Sequence, residues 1–137
     1  MEQLITWSDA LYSVKIKEMD GHHKKIVELI NKLHDAMMNG NGKNVLMPIL
    51  NELVSYTKYH FEAEEKMMKQ FDYNHLAIQE KEHKMFVEKI SELTEKYNSG
   101  NKEMSIETLK FLKNWLYDHI LKEDKQYSKF FNDKGIV

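Results

Sequence analysis

A chain of 137 residues with a net charge of −2 and no cysteine suits one domain with a core large enough to need no staples. Disulfides, thiolate metal sites and cysteine nucleophiles are excluded, so any metal must be held by histidine nitrogen and carboxylate oxygen. Interspersed charges argue against nucleic acid, no apolar run approaches the roughly 20 residues of a membrane span, and MEQLITWSDA lacks a signal-peptide pattern, so a soluble cytoplasmic protein is expected.

One proline and five glycines among abundant Lys, Glu, Leu and Met point to an all-α chain. The first 18 residues read as an extended arm carrying Trp7 and Tyr12. MDGHHKK opens a first helix, about 19–38, which NGNGK closes. A second spans about 44–70, with Pro48 in its first turns, where a missing N–H does little harm. FDYN is a short turn, and a third helix spans about 75–97 and stops at NSGN. Ser105 is the expected N-cap of a fourth, about 105–131, with Gly135 beyond it. Short connections between four amphipathic helices predict an up-down-up-down antiparallel four-helix bundle, a single domain over residues 1–137.

Steps of three and four along each helix trace the seam of such a bundle. The seam is apolar but interrupted: His23 on the first helix, His60 and Glu64 on the second, Gln79 and His83 on the third, His119 on the fourth with Asp124 on the adjoining stripe. His60 and Glu64 are four apart, about one turn, and share a face. Antiparallel neighbours set the start of one helix level with the end of the next. His23 is early in its helix, His60 and Glu64 late, His83 early, His119 and Asp124 late, so all converge toward one end.

A lone histidine on an apolar stripe is usually a hydrogen-bonded core residue. Four imidazoles and two carboxylates at one level differ, because burying carboxylates without partners costs several kcal/mol each. A hydrogen-bonded polar layer is the weaker alternative; bound metal is the better solution. Mixed N and O donors without sulfur suit iron, manganese or zinc. Two carboxylates among four histidines favour two bridged ions over one.

The order His23, then HFEAEE, EKEHKMF and HILKED, together with ITWSDALYSV and MDGHHKKIVELINKLH, resembles the hemerythrin family, in particular its bacterial single-domain members. The resemblance covers nearly the whole chain. It implies a four-helix bundle with two Fe ions (Fe2+/Fe3+), bridged by an oxo or hydroxo group and by Glu64 and Asp124, that binds O2 reversibly. By the family pattern His23 and His60 hold one iron, with a vacant position for O2 or small anions, and His83 and His119 hold the other. The resemblance also implies an apolar ligand pocket, for which Ile26, Leu116, Ile120 and Trp7 are the candidates.

One position departs from the pattern. The family's H-x3-H on the third helix places a histidine where this chain has Gln79, leaving that iron an amide oxygen or water. His75 is two turns from His83, about 12 Å along the axis at 1.5 Å per residue, too far to replace it. His22 lies one position off the seam, His34 far from the site at the surface, and Glu65 and Glu123 read as solvated neighbours of the ligands. The expectation is a monomeric O2-binding protein for storage, delivery or sensing. The rival is a di-iron enzyme acting on peroxide, nitric oxide or ferrous ion, and a metal-free interaction bundle is third.

Overall fold

The computed structural model describes residues 4–40, 43–100 and 104–137, with the backbone alone at 43, 104–106 and 108. Four long helical spans carry the fold. A single turn, α1 (Asp9–Tyr12), precedes α2 (Lys17–Met38), α3 (Lys43–Gln70) and α4 (Leu76–Asn98). The last span is continuous: α5 (Met104–His119), a π-helical turn (Ile120–Asp124) and α6 (Lys125–Asn132). Helix α2 packs on α3 and α5, α3 on α4, and α4 on α5, closing an antiparallel four-helix bundle.

The helix ends follow from local chemistry. Gly40 and Gly100 adopt positive φ, of 70° and 103°, where a side chain would be strained. Their N–H groups return to Met37 and Tyr97 carbonyls. Asp72, at φ 54°, makes the FDYN turn, a conformation that a short polar side chain tolerates. Ser105, expected as an N-cap, instead lies within α5, which begins at Met104, and the centre of NGNGK lies outside the described residues.

The seam is the core. Leu29, Ile30 and Leu33 of α2, Leu50 and Leu53 of α3, Ile90 and Leu93 of α4, and Leu112 and Leu116 of α5 are all buried. Such apolar burial, at about 25 cal/mol per Å2, supplies most of the driving force.

The N-terminal arm corrects the expectation of an extended segment over residues 1–18. The Tyr12 N–H bonds the Ser8 carbonyl to form α1, and α2 begins at Lys17. Asn31 pairs with the Ile5 backbone in both directions, at 2.9 and 2.8 Å. Asp20 accepts from Ser13 Oγ at 2.7 Å and from the Val14 N–H at 2.8 Å. These ties sink Ile5, Tyr12, Val14 and Ile16 into the core.

Candidate metal centre

His23, His60, Glu64, Gln79, His83, His119 and Asp124 are all buried, none more than 3 % exposed, and they meet between the four helices. Glu64 lies in the middle. Its Oε1 is 3.1 Å from His60 Nε2 and 3.4 Å from His83 Nε2, and its Oε2 is 3.7 Å from His23 Nε2. Asp124 mirrors it, with Oδ2 3.2 Å from His23 Nε2 and Oδ1 3.0 Å from His119 Nε2. His83 Nε2 and His119 Nε2 are 3.2 Å apart. The donor atoms fall into two overlapping groups, His23/His60/Glu64 and Glu64/His83/His119.

The π-helical turn places Asp124. It stands five positions after His119, which on a regular α-helix would rotate the two apart by about 140° at 3.6 residues per turn. The wider turn over Ile120–Asp124 absorbs the extra residue, as such bulges often do at functional sites.

These residues fit a metal. Two donors each about 2.1 Å from one ion lie roughly 3 Å apart at a right angle, close to the separations seen. Both nitrogens of His23, Glu64 Oε1, Asp124 Oδ2 and Gln79 Oε1 are buried with no hydrogen-bond partner. Unsatisfied groups of this kind destabilise a fold unless something else binds them.

The electrostatics show what competes with a cation. Burial opposes a charge on His23, but the Asp124 and Glu64 carboxylates outweigh it and raise its pKa to about 9. Burial likewise opposes His119, and Asp124 and Glu82 raise it to about 10. Burial and the Glu64 charge push Asp124 upward, yet His119 and His23 hold it well below the usual carboxylate range. Burial holds His60 below its ordinary value. A metal ion entering this cluster therefore displaces protons.

The outward nitrogens are also engaged. His60 Nδ1 meets His22 Nδ1 at 2.8 Å, so one donates and the other accepts. His83 Nδ1 donates to Glu65 Oε2 at 2.9 Å, and His119 Nδ1 faces Glu82 Oε1 at 3.4 Å. Tyr127, three residues after Asp124, donates to Glu64 Oε2 at 2.5 Å. Phe61 stacks on His83 at 3.9 Å and Trp115 on His119 at 4.3 Å, each nearly parallel. Losing the phenol in Tyr127→Phe leaves Glu64 Oε2 short of a donor, and urea unfolding should register about 1–3 kcal/mol less stability.

Among the flanking residues, Glu65 and His34 depart from expectation. Glu65 is not simply solvated: it is half-buried against His83. Glu123 lines a groove of about 600 Å3 with Met85, Phe111, Trp115, His119 and Lys122. His34 is half-buried, with Nδ1 enclosed and 3.9 Å from Asp35. His75 stays outside the cluster beside Tyr73. Gln79 is fully buried within it, its Nε2 donating to Asp124 Oδ1 at 3.1 Å. Ile26, Leu116 and Ile120 are core residues. Trp7 is half-buried and packs against that core, its indole stacked on Tyr12 and its N–H donating to Asp9 Oδ1.

Sequence reasoning passed over the roles of His22, Glu82, Tyr127, Phe61 and Trp115. Their positions one residue from a ligand, or three or four away along the same helix, are the signal that could have found them.

Fold and site together define a four-helix-bundle protein with a buried histidine and carboxylate cluster able to hold metal. Residues 14–131 match the family model described as the hemerythrin HHE cation binding domain. The chain is 34% identical to the bacteriohemerythrin of Methylococcus capsulatus over 124 residues, 90% of this chain and 94% of that one. It is also 34% identical to that of Pseudomonas aeruginosa over 123 residues, 90% and 78% of the two chains. Among solved structures, wild-type hemerythrin superposes with a TM-score of 0.86 at 33% identity, covering 92% of this chain and 96% of that one. The chain belongs to the hemerythrin family. No helix among the described residues is long and apolar enough to cross a membrane.

Proposed function

We propose that this chain is a non-haem di-iron protein that binds O2 reversibly, for storage, delivery or sensing. The observation that carries the reading is the convergence of fully buried donor atoms: His23 Nε2 lies 3.2 Å from Asp124 Oδ2, His60 Nε2 3.1 Å and His83 Nε2 3.4 Å from Glu64 Oε1, and His23 Nδ1 and Gln79 Oε1 make no hydrogen bond at all. In this reading His23 and His60 hold one ion, His83 and His119 the other, and Glu64 and Asp124 serve both. Membership of the hemerythrin family supports it.

Iron, when bound, supplies the electrons that O2 binding needs. The chain's residues do the rest. Tyr127 fixes Glu64 by its hydrogen bond. His22, Glu65 and Glu82 engage the outward nitrogens of His60, His83 and His119, so that the inward nitrogens are the ones turned toward a metal. Phe61 lies over His83, Trp115 over His119, and Ile26, Leu116 and Ile120 fill the core. This apolar surround excludes bulk water and slows side reactions that would consume O2.

Gln79 favours a second reading, an enzyme acting on peroxide, nitric oxide or ferrous ion. An amide oxygen is a poorer iron ligand than an imidazole, so the His83/His119 end is more open to other ligands. The groove beside Trp115 gives His119 an approach from solvent.

Metal analysis joined to an optical spectrum tests both. Purified protein should carry close to two irons per chain. Air should change the spectrum of the reduced protein, and removing O2 should reverse the change. Steady consumption of O2 or peroxide would identify the enzyme instead, and zinc alone would sink both readings.

A further inference from the structure

The four imidazoles are backed very differently at the two ends of the cluster. His23 Nδ1 is buried with no partner, and His60 Nδ1 meets another imidazole, His22, at 2.8 Å. At the opposite end both partners are carboxylates. His83 Nδ1 donates to Glu65 Oε2 at 2.9 Å, and His119 Nδ1 faces Glu82 Oε1 at 3.4 Å. These carboxylates come from different helices, Glu65 from α3 and Glu82 from α4.

A carboxylate that accepts the outer N–H of a metal-binding imidazole fixes the ring and its tautomer and raises the basicity of the inner nitrogen. The same end carries the weakest donor of the set, the Gln79 amide, whose Oε1 is buried and unpartnered. Extra donor strength therefore sits where an imidazole is lacking. We infer that Glu65 and Glu82 are positioning residues whose charge offsets the amide at position 79, so that the His83/His119 end retains its ion. The inference rests on the two-ion reading above and assigns residues that touch no metal themselves.

Glu65→Gln keeps a side-chain acceptor of the same size and removes only the charge, which separates donor strength from packing. Chelator titration of the iron-loaded protein is the measurement. The variant should bind one of its two ions roughly 10–100-fold more weakly, so that one release step moves to lower chelator concentration while the other stays. Glu82→Gln should move the same step by less, given its longer contact. His22→Ala, which touches His60 instead, should move the other step.

The decisive comparison repeats Glu65→Gln in a Gln79→His background. With an imidazole supplied, the shift should shrink several-fold, a coupling that a merely structural role for Glu65 would not produce. Equal shifts in both backgrounds, no shift, or loss of both ions together would overturn the inference. The parent protein keeps the two readings apart. Fewer than two ions in the parent overturns the proposed function and this inference with it. Two ions in the parent and no response to Glu65→Gln overturns the inference alone.

Discussion

Chelated protein should melt well below the iron-loaded form, and the gap should widen as the pH rises from about 6 to about 9. Without a cation, Glu64 and Asp124 depend on nearby imidazolium ions, chiefly His23 and His119, whose pKa values are raised to about 9 and about 10. A raised histidine stabilises the fold fully below its unfolded pKa, near 6.5, and loses that contribution as the pH climbs through its folded value. Asp124 shifts the other way, so its contribution is present above about 4 and is lost only in acid.

Chelated protein therefore weakens between about pH 6.5 and pH 10 as the imidazoles lose their protons. Iron behaves oppositely, because at higher pH it has fewer protons to displace and binds more tightly. Leaving a buried charge uncompensated costs about 3–5 kcal/mol, roughly 10–25 °C in a domain of this size. Calorimetry of loaded and chelated protein across this range measures the gap. A gap that stays constant or narrows toward alkaline pH would show that the imidazoles do not neutralise the carboxylates.

What the sequence revealed of the site, and what it hid, has a physical basis. A bundle seam repeats at three and four residues whatever side chains occupy it. His60 at a seam position is therefore placed as firmly as Leu53, one polar and one apolar and both buried. Antiparallel packing then fixes height, so the convergence of His23, His60, His83 and His119 could be read before any coordinates.

The contacts around the ligands could not. His22 is one step off the seam and looks solvated on a helical wheel, yet it is buried with its Nδ1 2.8 Å from His60. Glu65 follows Glu64 directly, and only the placement of α4 beside α3 turns it onto His83. The arm failed for a different reason. Its path is set by two side chains on α2, Asp20 and Asn31, that capture backbone groups 6 and 26 residues away, and no local periodicity announces such contacts. The same contacts bring Trp7 onto Tyr12, half-buried against the core. The π-helical turn is intermediate: a spacing of five between two side chains of one site signals an inserted residue, without saying where the helix accommodates it.

Gln79→His should change how the protein handles oxygen more than any substitution outside the ligands themselves. Gln79 is fully buried, with its Nε2 on Asp124 Oδ1 and its Oε1 free of any partner, so a side chain there already points into the cluster. An imidazole at that position offers a stronger neutral donor than an amide oxygen. It should tighten the more weakly held ion by about tenfold or more. It should also close the His83/His119 end to water, anions and peroxide. The oxygenated spectrum should persist longer before giving way to the ferric one, and any peroxidase-like turnover should fall. Stopped-flow mixing with O2, followed by the decay of that spectrum and a peroxide assay, reads both effects. Faster decay with undiminished turnover would mean that the amide protects the centre rather than exposing it. In that case the hydrogen bond from Gln79 to Asp124, which holds the carboxylate in place, matters more than the donor strength lost at position 79.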